Sequence, residues 1–124
     1  MPGFEHDSLT EKIIGCCFEV HRSLGPGFNE KIYARALQYQ LAAEKLNYES
    51  EKEFNVTFKD QFVGKFRCDL FVENTIIVEL KSVTGYLPAL FKSQVLSYLK
   101  ASNVKTGLLI NFGNPSCEIK RISV

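Results

Sequence analysis

The sequence lacks a large excess of charge of either sign. Its 15 lysines and arginines nearly balance its 14 aspartates and glutamates, which leaves a formal net charge of +1 at pH 7. That balance excludes a protein that coats nucleic acid by bulk charge, but it is compatible with a local basic groove. No apolar stretch reaches the length of a membrane span, and the N-terminal segment MPGFEHDSLTEK is acidic rather than signal-like. We therefore expect an intracellular, cytoplasmic protein with no membrane partner.

Cysteine and histidine at metal-binding spacing are also missing. Cys16 and Cys17 are adjacent, Cys68 and Cys117 are isolated, and the two histidines have no second ligand at a suitable spacing. Cysteines without a C-x-x-C pair are typical of reduced, packed thiols rather than of a zinc site or a disulfide framework.

The chain does contain enough apolar residues for one hydrophobic core. With 124 residues, 45% of them hydrophobic, it is too short for two domains of ordinary size. We therefore predict a single domain over residues 1–124.

Two helices are predicted in the first third of the chain. Residues Ser8 to Glu11 have the spacing of a capping box, and apolar residues then recur with helical period as far as Leu24. The segment Gly25-Pro26-Gly27 interrupts this pattern, because proline lacks an amide donor and glycine permits sharp turns. A second helix is expected over about 29–45.

The rest of the chain alternates strands with one helix. From Glu51 the apolar period changes to two, which is typical of a strand. A helix between two strands is the usual crossover to a parallel neighbour. We therefore predict an α/β fold with a mixed central sheet flanked by helices. The predicted elements are strands over about 51–58, 62–72 and 75–83, a helix over 88–102, a strand over 105–112 and an optional edge strand over 117–124.

One predicted strand pair carries charged residues at its rim. The segment DLFVENTIIVELK begins with Asp69 and ends with Glu79 and Lys81, and the last two project from the same face of their strand. Asp69 shares that face if it pairs directly with Glu79, whereas a two-residue loop would set it opposite Val78 on the other face. Direct pairing requires Val72 opposite Ile76, with a three-residue loop between them.

Two carboxylates on adjacent strands repel each other unless a cation lies between them. Ligation by oxygen alone suits Mg²⁺ or Mn²⁺ rather than zinc. A neighbouring lysine can orient a water or stabilise the negative charge that develops during attack on phosphorus. These are the requirements of hydrolytic phosphodiester cleavage. An ion pair at a strand end explains the same three residues, so both interpretations stay open at this point.

The spacing of these residues resembles a known nuclease signature. Asp69 followed by Glu79-Leu80-Lys81 is similar to the D…(D/E)xK motif of the PD-(D/E)xK nuclease superfamily, although Cys68 stands where the superfamily name has proline. The segment Gly27-Phe-Asn-Glu30-Lys-Ile-Tyr33 matches the GxxExxY pattern, which names a family of small predicted nucleases in that superfamily. The resemblance implies a restriction-endonuclease-like core, in the order α-β-β-β-α-β, with an extra N-terminal helix.

The resemblance also implies two polar residues on the crossover helix. Gln94 and Tyr98 resemble the QxxxY motif of RecB-like members of the superfamily. Residues four apart share one helical face, from which an amide and a phenol can hydrogen-bond to Lys81 or to a substrate phosphate. The alternative is a half-buried helix face with its polar ends in water.

Glu30 is the third addition that the resemblance implies. It is expected to supply a further metal ligand, directly or through water, and Gly27 is expected to let the backbone approach closely at that point. The alternative is that Glu30 only complements the dipole of its helix.

Together these patterns predict a metal-dependent nuclease that hydrolyses phosphodiester bonds of nucleic acid, with DNA as the favoured substrate. The alternative is a non-catalytic module on the same fold that binds nucleic acid or another partner. Cutting both strands of a duplex would favour a homodimer. The predicted catalytic residues are Asp69, Glu79, Lys81, Gln94 and Tyr98, and the predicted ligands of Mg²⁺ or Mn²⁺ are Glu30, Asp69 and Glu79.

Overall fold

The described part of the chain forms a five-stranded sheet with three helices. The computed structural model describes the backbone of residues 2–124 and the side chains from Asp7 onward. Its elements are α1 Pro2–Leu24, α2 Glu30–Ala43, β1 Tyr48–Phe58, β2 Gln61–Val72, β3 Ile76–Lys81, α3 Ala89–Ser102, β4 Thr106–Asn111 and β5 Glu118–Ser123. The strands lie in the order β1-β2-β3-β4-β5.

The direction of the strands agrees with the predicted crossover. Helix α3 carries the chain from β3 to β4, and these two strands are parallel. The other neighbouring pairs are antiparallel, including β4 with the optional edge strand, which is present as β5. The prediction of a mixed sheet flanked by helices is confirmed.

The two faces of the sheet are covered by different helices. One apolar cluster joins α1 and α2 to the sheet and includes Leu37, Leu41 and Val78. A second cluster joins α3 to the opposite face and includes Ile77 and Leu99. Because β3 and β4 are buried on both faces, a polar side chain in either strand is costly unless it is paired or functional.

The first helix begins earlier than the sequence pattern predicts. It starts at Pro2, so Ser8 and Glu11 lie inside α1 and the predicted capping box is wrong. An ion pair between Asp7 and Arg121 of β5, at 2.6 Å, ties this added turn to the sheet. Although α1 has 23 residues, no helix within residues 2–124 is long and apolar enough to cross a membrane.

Candidate functional site

The register between β2 and β3 places two carboxylates opposite each other. Val72 pairs with Ile76, which leaves a three-residue loop between the strands and confirms the predicted register. Counting on from that pair puts Asp69 opposite Glu79. The backbone amide of Asp69 donates to Glu79 Oε1 at 2.9 Å, and the amide of Leu80 donates to Asp69 Oδ2 at 2.7 Å. The two residues are therefore linked reciprocally. The Asp69 amide holds the Glu79 carboxylate, and the amide of Leu80, next to Glu79, holds the Asp69 carboxylate.

The alternation of side chains along β2 breaks next to Asp69, which the sequence pattern does not reveal. Cys68 packs in the cluster on the α3 side, whereas Leu70, two residues later, packs in the cluster on the α1 and α2 side. On the neighbouring strand, Glu51 has a left-handed φ of 51°. Counted from Val72, Asp69 keeps the regular alternation and lies with Glu79 on the side of the sheet that α3 covers. The break therefore falls between Cys68 and Asp69, and both residues lie on that side.

Burial raises the pKa of both carboxyl groups. Glu79 is 5% exposed. Burial, followed by the charge of Asp69, raises the pKa of Glu79 to about 7, and the Asp69 amide and Lys81 offset only part of this. Burial also raises the pKa of Asp69, while the hydrogen bond from Leu80 and the charge of Lys81 lower it. The pair therefore resists carrying two negative charges near neutral pH without a compensating cation.

Lys81 lies on the same face of β3 as Glu79. Its Nζ lies 4.2 Å from the centroid of the Phe91 ring on α3, a cation–π contact that holds the ammonium in place. The ion pairs among the described side chains do not include Lys81. Its charge nevertheless lowers the pKa of both Asp69 and Glu79. The ammonium is thus close to the carboxylates and free to act on the charge of a substrate.

The donor atoms of this site suit a hard divalent cation. Asp69 and Glu79 each use one oxygen to accept a backbone amide, and Asp69 Oδ1 and Glu79 Oε2 accept no hydrogen bond from the side chains and backbone that the structure describes. Oxygen ligands of this type fit Mg²⁺ or Mn²⁺. Burial followed by the charges of Glu79 and Asp69 raises the pKa of the Cys68 thiol to about 12, so this thiol is protonated in the metal-free protein.

Among the described side chains, the site offers two carboxylates and no third protein ligand. In the described part of the chain, no group of three or more histidine, cysteine, aspartate or glutamate side chains is arranged to hold a metal. A cation held by Asp69 and Glu79 would complete its shell with water or substrate oxygens, which is how Mg²⁺ commonly binds.

Glu30 lies outside the carboxylate pair. It is exposed at the first residue of α2, and its charge raises the pKa of Asp69, so the two residues are within electrostatic range. A Cβ built at Gly27 meets nothing within 4 Å, so close approach to another described part of the protein is not what requires glycine there. Glycine is favoured at this position by a φ of 113°. The role of Glu30 as a metal ligand stays a prediction.

The two polar residues of α3 differ in their surroundings. The Tyr98 ring stacks on Phe66 with centroids 4.0 Å apart. Burial, followed by the charges of Glu79 and Asp69, raises the pKa of the Tyr98 hydroxyl, which places that group near the carboxylates. Gln94, one turn earlier, is exposed, and its side chain forms no hydrogen bond with another described residue. Its amide is therefore open to solvent and to a substrate.

Tyr33 of the GxxExxY segment has a structural role. It is fully buried, and its hydroxyl donates to the Gly25 carbonyl at 2.5 Å and accepts the Phe28 amide at 3.2 Å. Its ring stacks on Phe112 with centroids 4.4 Å apart. Tyr33 thus fixes the loop that leads to Glu30.

Sequence reasoning missed a clamp on the segment that follows Lys81. Buried Asn111 accepts the Val83 amide and donates to the Val83 carbonyl, both at 2.9 Å. Asn114 does the same with the Gly85 amide and carbonyl, both at 2.8 Å. The sequence contains part of the signal for this clamp. Asn111 is a polar residue at the end of the apolar strand β4, just as Glu79 is a polar residue near the end of β3.

Close packing and further hydrogen bonds support this clamp. A Cβ at Gly113 would lie 2.3 Å from the Val83 carbonyl oxygen, so only glycine fits there. Glu118 Oε1 accepts from both asparagine side chains, at 3.0 Å from Asn111 and 2.6 Å from Asn114. His21 Nε2 lies 2.9 Å from the Asn114 carbonyl oxygen, so this histidine belongs to the clamp rather than to the carboxylate site.

Asn111→Ala is expected to destabilise the protein by about 3 kcal/mol. The substitution leaves the half-buried amides of Val83 and Gly113 without the acceptor that Asn111 Oδ1 provides, and each unsatisfied donor that is shielded from water is costly. Urea denaturation measures the change, with Asn55→Ala on exposed β1 as the matched control. Equal midpoints for Asn111→Ala and the control would show that the clamp does not stabilise the fold.

Comparisons with known proteins identify the family of this fold. A family model described as the PD-(D/E)XK nuclease superfamily matches residues 7–122. No curated protein matches the sequence. Among solved structures, the crystal structure of SSO0001 aligns with a TM-score of 0.60 at 22% identity, covering 75% of this chain and 48% of SSO0001. This chain thus spans about half the length of SSO0001, and the likeness shows a shared restriction-endonuclease-like fold. The narrower resemblance to the GxxExxY family stays a prediction.

Proposed function

Since this chain belongs to the PD-(D/E)XK nuclease superfamily, we propose that it is a metal-dependent nuclease that hydrolyses phosphodiester bonds of nucleic acid, with DNA as the favoured substrate. The observation that carries the proposal is the reciprocal arrangement of Asp69 and Glu79 beside the unpaired ammonium of Lys81. An ion pair at a strand end accounts less well for it, because Lys81 forms no close ion pair with either carboxylate among the described side chains.

Each residue of the site has a proposed task. Asp69 and Glu79 would hold Mg²⁺ or Mn²⁺, since each has a carboxylate oxygen that accepts no backbone amide. When bound, the divalent ion supplies Lewis-acid activation of a phosphoryl oxygen and lowers the pKa of water. Lys81 orients the attacking water and stabilises the negative charge that develops on the phosphoryl oxygens, and its contact with Phe91 keeps the ammonium positioned before the substrate arrives.

Three further residues have supporting roles in the proposal. Tyr98 lies within electrostatic range of Asp69 and Glu79 and can donate a hydrogen bond to a substrate phosphate. Gln94 is exposed one helical turn away and can do the same. Glu30 contributes through water rather than directly, since it is exposed at the start of α2 and lies outside the carboxylate pair.

A panel of labelled single-stranded and double-stranded DNA and RNA substrates tests this proposal. With Mg²⁺ or Mn²⁺ the wild-type protein should cleave at least one of them, and EDTA should stop the cleavage. No cleavage of any substrate, together with retained nucleic-acid binding in Ca²⁺, would instead favour the binding module on a nuclease fold.

The pH dependence of stability provides a test without a substrate. Because the folded protein keeps the Glu79 proton up to a pKa of about 7, against 4.5 for an ordinary glutamate, the folded state binds more protons than the unfolded state between these values. The metal-free protein should therefore gain stability as the pH falls from about 8 to about 5. At about 1.4 kcal/mol for each pH unit, the contribution of Glu79 is about 3 kcal/mol.

Denaturant melts of wild type and Glu79→Gln across this pH range measure the contribution as a difference. The wild-type stability should rise relative to that of the variant as the pH falls, because the glutamine has no proton to gain. Parallel curves for the two proteins would show that Glu79 is not buried as a strained carboxylate.

A further inference from the structure

The hairpin that carries Asp69 continues into an exposed arm. Strand β2 pairs with β1 along most of its length, but the pairing of β2 with β3 runs over Leu70–Val72 in the described chain. On the N-terminal side of Asp69, towards the turn at Lys59-Asp60, β2 therefore pairs with β1 and not with β3 in the described chain. The base of this arm is anchored on α3, since Phe54 stacks on Phe66 and Phe66 stacks on Tyr98.

The end of the arm, residues 57–63, is not packed against the rest of the protein. We call these residues the hairpin tip, and all of them are exposed. The tip carries three large apolar side chains, Phe58, Phe62 and Val63, which are 64%, 61% and 60% exposed. Apolar side chains grouped in this way on a surface mark an interaction site more often than scattered ones do.

The register of the tip points its two rings in different directions. Phe58 pairs with Gln61, and Phe62 pairs with Thr57, so the two phenylalanines lie on opposite faces of the hairpin. The turn between them, Lys59-Asp60, has left-handed φ values of 50° and 63°, as a two-residue hairpin turn requires. The tip thus presents one ring on each side of a narrow ribbon.

The charges near the tip favour an anionic partner. Lys59 Nζ lies 5.5 Å from the centroid of the Phe58 ring. Lys59 and Lys65 are exposed and take part in no ion pair among the described side chains. Asp60 is the single acidic residue between positions 57 and 65. By contrast, the acidic residues at the base of the arm, Glu51 and Glu53, are paired with Arg67.

A second copy of the chain fits this surface poorly. Three side chains that are about two-thirds exposed supply far less than the roughly 800 Å² that each partner buries in a stable protein interface. Exposed rings beside unpaired cations are instead the combination that binds single-stranded nucleic acid, because bases stack on the rings and phosphates contact the cations.

We propose that the hairpin tip binds unpaired bases of the nucleic-acid strand whose backbone lies in the Asp69 and Glu79 site, with Phe58 and Phe62 as stacking platforms and Lys59 and Lys65 on the phosphates. The choice of partner rests on the proposed function. Gln61 and Asp69 are eight residues apart on β2, so the tip lies up to about 26 Å from the site along the strand. The arm therefore selects substrates with a single-stranded segment next to the cleaved bond.

Fluorescence anisotropy with a labelled single-stranded 20-mer in Ca²⁺ tests the inference without requiring cleavage. Phe58→Ala and Phe62→Ala should each weaken binding about tenfold, and the double variant more. Tyr39→Ala is the matched control, since Tyr39 is 75% exposed on α2, and it should leave binding unchanged. A blunt duplex of the same length should bind more weakly than the single strand and should respond little to the two substitutions.

A second readout separates this inference from the proposed nuclease function. Hydrolysis of the small diester bis(p-nitrophenyl) phosphate reports on the catalytic site alone, so the double variant should retain wild-type activity toward it. If the wild-type protein cleaves nothing but the double variant loses single-strand binding, the proposed role of the hairpin tip is supported and the nuclease proposal fails. If the wild-type protein cleaves nucleic acid, and the double variant binds and cleaves the 20-mer equally well, the proposed role of the hairpin tip is contradicted.

Two other results would also contradict the proposal that the hairpin tip binds unpaired bases. Equal loss of duplex and single-strand binding in the double variant would show that unpaired bases are not what the rings bind. The other result is a dimeric wild-type protein and a monomeric double variant in sedimentation velocity, with equal nucleic-acid binding. It would show that the tip is a contact between two copies of the chain.

Discussion

Lys81→Ala is expected to lower the turnover number for nucleic-acid cleavage by about 100-fold or more. The Lys81 ammonium lies over Phe91 and beside the carboxylates, where it is positioned to act on charge that develops during attack on phosphorus. Removing one preorganised electrostatic donor commonly costs two to three orders of magnitude in turnover. Substrate binding should change far less, because the ground state carries less charge at the reacting oxygens.

Single-turnover cleavage and anisotropy in Ca²⁺ measure the two effects separately. Lys12→Ala, at an exposed position of α1, is the matched loss of one positive charge and should leave both quantities unchanged. Thermal melts establish that Lys81→Ala is folded. Equal turnover for Lys81→Ala and wild type would place the chemistry at another site or in a contaminating nuclease.

Asp69→Asn and Glu79→Gln are expected to reduce Mg²⁺ affinity and cleavage by at least about 100-fold each. A neutral amide replaces a carboxylate ligand of a hard cation, and even changes to groups behind a metal ligand cost 10-fold to 100-fold. Both variants should fold, because the amide oxygens can still accept the backbone amides of Leu80 and Asp69. They also remove the repulsion between two buried charges.

Thermal stability with and without Mg²⁺ gives a readout besides activity. At pH 8 the cation should raise the melting temperature of wild type, since it binds the folded carboxylate pair and not the unfolded chain. Neither variant should show this increase. An unchanged Mg²⁺ response in Asp69→Asn would mean that the cation binds elsewhere.

The part of the site that depends on strand periodicity was predictable from sequence. Direct pairing of Asp69 with Glu79 requires Val72 opposite Ile76, and the structure contains that pair. The order of strands and helices followed from the change of apolar period and from the crossover at α3. These features are encoded by residues that are close together in the chain.

The features that sequence missed depend on contacts between distant segments. The clamp joins Asn111 and Asn114 to backbone groups 28 and 29 residues away, and no local pattern encodes such partners. The break in alternation next to Asp69 depends on packing against both helical layers. At Gly27, local reasoning identified the need for glycine but assigned it to close approach rather than to a left-handed φ.

A crystal structure of the protein soaked with Mn²⁺ tests the central claim most directly, because anomalous scattering locates the ion without reference to activity. The account predicts one anomalous peak between the two strands, about 2.1 Å from Asp69 Oδ1 and from Glu79 Oε2, with water filling the remaining positions. Crystals of Glu79→Gln should lack the peak. An Mn²⁺ ion bound at other residues, or no peak at the carboxylate pair at saturating Mn²⁺ and pH 8, would contradict the account.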